Sequence, residues 1–137
     1  MNKIEELRHI RLEIERLQGQ EKALSVPIVM NMDIARNLYD VYQCTIMRQG
    51  GDIFDTDNRK KFLYAMLYIF SPTTLAGGAM RHQFRELVSN IIGCTNTGVS
   101  RDYKTAQFFY NTYQEFRQST DEIIKDMLYV LGKENEF

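Results

Sequence analysis

The side chains best suited to chemistry in this chain are donors and cations, and they cluster. Between residues 58 and 104 stand Arg59, Lys60, Lys61, Arg81, Arg85, Arg101 and Lys104 against only Glu86 and Asp102, a local charge of +5 in a chain whose net charge is −1. Residues 1–25 are neutral, and residues 26–57 and 105–137 each carry −3. Thr97, Ser100, Arg101 and Lys104 follow one another at the spacing of a single helical face. Thr95 and Asn96 lie just ahead of them. Guanidinium, ammonium, hydroxyl and amide groups on one face, with no bulky apolar neighbour, are groups that hold phosphate oxygens and read hydrogen-bonding edges. A local basic patch is what such contacts need, whatever the total charge.

Bond-making chemistry has little support. His9 sits among charges and reads as solvated, and His82 reads as an exposed helical histidine beside the basic block. No Ser/His/Asp order or Cys/His pair has a suggestive spacing, and no glycine-rich loop follows a strand. The Gly77–Gly78 pair is too short to cradle a phosphate. Cys44 and Cys94 lie fifty residues apart and match no zinc spacing; they read as free thiols of a reducing compartment, with a single bridge in a secreted chain as the alternative. "DTDN" (55–58) is rich in carboxylates but lacks the later Gly and Glu of a calcium loop, so it reads as a surface loop. The aromatic run "FFYNTYQEF" offers stacking surfaces, yet its helical spacing makes Phe109, Tyr113 and Phe116 core. The expectation is a non-enzyme with no metal, no cofactor and no small-molecule substrate.

The elements that must position the cationic face are helical. The chain has 137 residues, 44% of them apolar, with only two prolines and eight glycines, enough for one core plus an appendage. No stretch alternates with period two, so the predicted class is all-α. Leu7, Ile10, Ile14, Leu17, Glu21 and Leu24 recur at alternating three- and four-residue steps in a first helix over 2–25, a heptad seam with a at 7, 14 and 21. Glu6 and Arg11 then occupy g and e. Gly19 and Glu21 weaken the seam. It fits a parallel coiled-coil dimer, a helix packed on its own domain, or a helix docked on another protein. Pro27 ends this helix. A second helix is predicted from Asp33, as N-cap, to Arg48, with Ile34, Leu38, Val41, Tyr42, Thr45 and Ile46 buried. A third, 59–70, opens with three cations that oppose the helix dipole and would welcome an external anion; Asp57 or Asn58 caps it. Pro72 stops it, and "SPTTLAGG" connects to a fourth helix, 79–92. The last helical stretch, 97–131, has a break predicted at "RQSTDEI", where Ser119 and Glu122 have capping-box spacing. "GKENEF" is expected to fray. The longest apolar run, "FLYAMLYIF", is too short to span a bilayer, and the charged N-terminus has no leader-like segment. A cytoplasmic protein without a membrane partner is expected.

"GCTNTGVSRDY" (93–103) joins the fourth and fifth helices. A sharp corner between two helices needs a residue of positive φ at the end of the first, hence Gly93. It needs a small apolar follower, Cys94; an apolar plug six residues after the glycine, Val99; and a small residue four before it, Ser89. Thr95 or Asn96 can cap the second helix. This segment, over residues 84–106, resembles the recognition segment of bacterial and phage helix-turn-helix DNA-binding proteins, in which Gly followed six residues later by Val-Ser-Arg recurs. The resemblance implies Thr95, Asn96, Thr97, Ser100, Arg101 and Lys104 as DNA-facing. Asp102 departs from it, standing where many such regulators carry an aliphatic residue, with Tyr103 alongside to supply packing. The chain also resembles, loosely, the helical DNA-binding domain of bacterial replication initiators, without their signature, and small uncharacterised proteins of gut Bacteroidetes and their phages.

The organisation expected is an N-terminal amphipathic helix over 1–25, a helical domain over 26–132 with the helix-turn-helix at 84–106, and a tail over 133–137. The expected partner is double-stranded DNA, bound by a homodimer. Arg59, Lys60, Lys61, Arg81 and Arg85 would hold phosphates while the second helix of the corner reads bases. The alternative is a phage or mobile-element assembly protein that docks through its N-terminal helix, with the corner serving only as packing.

Overall fold

A computed structural model describes residues 2–29 and 31–137. It is 79% helical, with seven helices and no strand among the described residues, so the chain is all-α. The first helix, α1 (Lys3–Leu24), starts at a reciprocal cap: the Glu5 amide donates to the Asn2 side chain at 2.9 Å, and the Asn2 amide donates to the Glu5 carboxylate at 3.4 Å. It ends at Ser25, two residues before Pro27. Ile28 and Val29 then pin the chain to the domain, their amides donating to the Ile69 carbonyl at 2.9 and 3.4 Å.

The second helix enters differently from expectation. Asn31, not Asp33, supplies the cap, accepting from the Asp33 amide at 2.9 Å at the head of a 3-10 turn over Met32–Ile34. The helix proper, α2 (Ala35–Arg48), follows and buries Ala35, Leu38, Tyr42, Thr45 and Ile46. Likewise α3 (Thr56–Phe70) begins earlier than predicted, because Asp55 takes the cap and accepts from the amides of Asp57 and Asn58 at 2.9 and 3.2 Å. The three cations therefore lie beyond the first turn. Asp55 and Asp57 already meet the positive end of the dipole, so the anion that the shorter helix called for is supplied from within the chain. The carboxylates of "DTDN" and Asp52 serve as local acceptors that build the loop and the cap.

Helix α3 is the centre. It buries Phe62, Leu63, Ala65, Met66, Leu67, Ile69 and Phe70, and it packs on α6 and α7. A helix apolar almost all round must be enclosed, and each large side chain of that set contributes roughly 1.5–3 kcal/mol by leaving water. Pro72 stops α3 as predicted and opens a one-turn helix, α4 (Pro72–Leu75), inside the expected connector. Next come α5 (His82–Ile92), α6 (Asn96–Thr112) and α7 (Gln114–Val130). The break between the last two falls at Tyr113, whose backbone is extended, and not at Ser119. Ser119 and Glu122 lie inside α7 and turn to α2 instead. The Ser119 hydroxyl donates to the Gln49 side chain at 2.6 Å, and Glu122 accepts from Arg48 and from Gln49. Tyr113, expected in the core, is 51% exposed at the elbow, whereas Phe116 is buried. The tail departs from fraying too: Glu134–Glu136 forms a 3-10 turn, the Tyr68 hydroxyl donates to the Glu136 carbonyl at 2.6 Å, and Phe137 lies against Tyr68.

The first helix stands outside this core. None of its residues is buried, and Leu7, Ile10, Ile14, Leu17 and Leu24 are between 46% and 80% exposed. No helix among the described residues is long and apolar enough to cross a membrane.

Candidate nucleic-acid interface

The corner between α5 and α6 is built from local backbone geometry. Gly93 ends α5 at φ 70° and ψ 28°, the left-handed conformation that a side chain disfavours. The Cys94 amide donates back to the Ser89 carbonyl at 3.1 Å, and the Ser89 hydroxyl donates to the Cys94 carbonyl at 2.8 Å. Ser89 is thus more than a small residue permitting close approach. It bonds both sides of the turn, a role its size alone did not suggest. Thr95 caps α6, its hydroxyl accepting from the Gly98 amide at 3.0 Å. Gly98 sits tightly there: a Cβ would lie 3.1 Å from that hydroxyl. Val99, fully buried, anchors the first turn of α6 in the core, and Tyr103 packs against the same cluster.

Beyond these contacts the face of α6 is open. Thr95, Thr97, Arg101 and Lys104 are exposed, and Asn96 and Ser100 are half-buried. Arg101 keeps 77% of its side chain in solvent, with Nε 3.6 Å from Asp102 Oδ1. An exposed pair at that distance is worth at most about 1 kcal/mol, so Asp102 tempers the guanidinium without committing it. Arg81, the residue that precedes α5, is exposed; neither it nor Lys104 forms an ion pair among the described residues. His82 lies 3.0 Å from Glu86 one turn along α5, a contact within the exposed face.

No known family, curated protein or solved structure matches the chain.

The remaining cations are placed differently from one another. Arg59 is half-buried and directs its guanidinium to the C-terminal end of α5, donating to the Ile92 carbonyl at 3.5 Å. There it complements the negative end of the helix dipole beside the corner glycine. Its Nε and that of Arg85 are buried without a hydrogen-bond partner among the described residues. Lys60 retains only 15% of its side-chain exposure and sits 3.7 Å from Asp57. Lys61 donates to Asn58 at 2.9 Å and lies over the Phe116 ring, 5.6 Å from its centroid. Burial holds its ammonium below the ordinary lysine range. So the structure brings Arg59 to the corner, spends Lys60 and Lys61 largely within the chain, half-buries Arg85 on α5, and leaves Arg81, Arg101 and Lys104 as the open cations.

A second polar cluster lies between α2 and α7. Arg48 bonds Glu122 and Asp126, the latter at 2.7 Å, and the Thr45 hydroxyl donates to Asp126 at 2.7 Å. Each carboxylate of this cluster already has a partner, and the cluster reads as a lock between two helices.

Proposed function

We propose that the chain is a sequence-specific DNA-binding protein, a regulator or a phage or mobile-element factor acting in the cytoplasm. In this reading α6 enters the major groove by its N-terminal half. Thr95, Asn96, Thr97, Ser100 and Arg101 meet base edges; Lys104 and Arg81 meet phosphates; Arg59 steadies the corner from behind. The observation that carries the reading is the exposed face of α6: donors and cations on one side of a helix whose other side is held in the core by Val99 and whose approach is set by Gly93.

The test is a fluorescence-anisotropy titration on random duplex and on a site selected from a randomised library. Arg101→Ala should cost about 1–3 kcal/mol on the selected site and little on random duplex. Lys104→Ala should weaken both to a similar degree and lower the salt dependence. A wild-type chain that enriches no sequence and binds no duplex at low salt would sink the proposal. A second reading, a non-enzymatic assembly protein, is favoured by the uncovered seam of α1. Removing residues 1–25 separates the two, since DNA binding by one domain survives that deletion and partner capture through α1 does not.

A further inference from the structure

The long first helix presents an apolar seam that its own domain leaves open. Leu17, Glu21 and Leu24 border a shallow cleft against Pro72, Thr73 and Ala76, but no residue of α1 becomes buried there. A helix of 22 residues that buries nothing is marginal in water, since helices in proteins draw most of their stability from packing one face. The seam belongs to a structure in which something covers it.

We propose that the cover is a second copy of the chain, aligned parallel through α1. Charge complementarity selects that occupant. With a at 7, 14 and 21 and d at 10, 17 and 24, Glu6 falls at g and Arg11 at the following e. A parallel pair sets each g beside the next e of its partner, which joins Glu6 to Arg11 twice, once on each side of the two-fold axis. An antiparallel pair sets g beside g and e beside e. That gathers Glu6 and Glu13 on one flank and Arg11 on the other, with no attractive contact. The third a position, Glu21, limits the assembly to two strands: a carboxylate at a can reach water past a two-stranded seam but is enclosed in a three- or four-stranded one. The interface spans fewer than three heptads, so the equilibrium is weak and concentration-dependent, monomer and dimer exchanging in the micromolar range. This inference does not depend on DNA binding. Where both hold, two corners act on one duplex.

Sedimentation equilibrium of the full chain, from low micromolar to submillimolar concentration, reads the self-association directly. The expected result is a monomer–dimer equilibrium with no larger species. Leu17→Asp should weaken it about a hundredfold or more, and Glu21→Leu should tighten it. Circular dichroism and the urea midpoint of the domain check that both variants remain folded, as they must if α1 lies outside the core. Orientation is read from charge. Glu6→Arg turns two attractive pairs into two repulsive ones and should weaken a parallel dimer about tenfold, while adding Arg11→Glu to it should restore the wild-type constant. A chain monomeric at every concentration overturns the proposal and leaves docking on a different protein. A Glu6→Arg variant that associates more tightly overturns the parallel arrangement.

Discussion

Replacing Gly93 by alanine isolates the geometry of the α5–α6 corner. Residue 93 has φ 70° and ψ 28°, and an added Cβ would find no heavy atom within 4 Å. The substitution therefore carries no packing cost and no gain; what remains is backbone. Holding an L-residue in the left-handed region costs roughly 1–2 kcal/mol. Alanine also narrows the unfolded ensemble, which returns about 0.4–1 kcal/mol. The net destabilisation is about 1 kcal/mol. For a chain of this length that lowers the thermal midpoint by about 3–5 °C. Urea denaturation followed by circular dichroism is the assay, with Gly93→Asn as the companion variant. Asparagine tolerates the left-handed region better than alanine does, so it should lose less. Gly132 has φ 69° and is equally open, so Gly132→Ala should show a similar loss, whereas Gly19→Ala in α1 should leave the domain midpoint unchanged. If Gly93→Ala matched or exceeded wild-type stability with an unchanged denaturant slope, residue 93 would not be left-handed and the corner would be misplaced.

Other consequences concern titration. Hydrogen bonds from Arg48, then from Gln49, hold the Glu122 carboxyl below its ordinary value of 4.5. Its contribution is thus full above that value and is lost as pH falls through the lowered pKa; Glu122→Gln should flatten the acid limb of a urea-midpoint-versus-pH curve, and an unchanged limb would show that the α2–α7 lock does not report through this group. Burial raises the phenols of Tyr42, Tyr64 and Tyr68, and pushes Tyr110 up to about 12. The fold favours the protonated phenol, so stability should be full below the ordinary value of 10.0 and fall as pH rises beyond it. Phenolate absorbance of the folded chain should lag behind that of the chain in urea, and coincident curves would contradict the burial of these rings.

The corner was legible from residue order because everything that makes it is local. Gly93, Thr95 and Val99 act within seven residues of one another, through a backbone angle, a cap and one buried side chain. Most of the core face of α2 was legible for a related reason: the helix is amphipathic, and periodicity reports a face without knowing what covers it; Leu38, Tyr42, Thr45 and Ile46 are buried, while Ile34 and Val41 at its edge are half-buried. The misread features depend on distant partners or weak punctuation. Ser119 and Glu122 have capping-box spacing, yet Gln49 and Arg48, some seventy positions earlier in the chain, take their side chains. The real break, at Tyr113, is marked by neither glycine nor proline, only by Asn111 and Thr112, which are poor helix formers. Asp55 displaced Asp57 as the cap because any of three neighbouring polar residues could have served, and only the loop conformation from Asp52 onward chooses among them.

Linear charge is the least direct of these signals, and its revision has a measurable consequence. Seven cations in residues 58–104 suggested one broad phosphate-binding patch. Folding divides them. Lys60 and Lys61 face carboxylate, amide and ring within the chain, and Arg59 is engaged at the Ile92 carbonyl, which leaves Arg81, Arg101 and Lys104 open and Arg85 half-buried. Each phosphate neutralised on duplex DNA contributes about −0.9 to the slope of log affinity against log salt. If Arg101 is committed to a base, one chain presents Arg81 and Lys104, with the half-buried Arg85 beside them, to phosphates, a slope of about −2 to −3, and a two-copy assembly about −4 to −5. A patch using all five cations first assigned to phosphates would give about −4 to −5 from a single chain. The salt dependence of random-duplex binding, measured with the full chain and with residues 1–25 removed, separates these cases. A slope that halves on removal of α1 fits two sparse faces brought together by the helix; a steep slope that survives its removal fits one broad patch and would refute the division of cations drawn here.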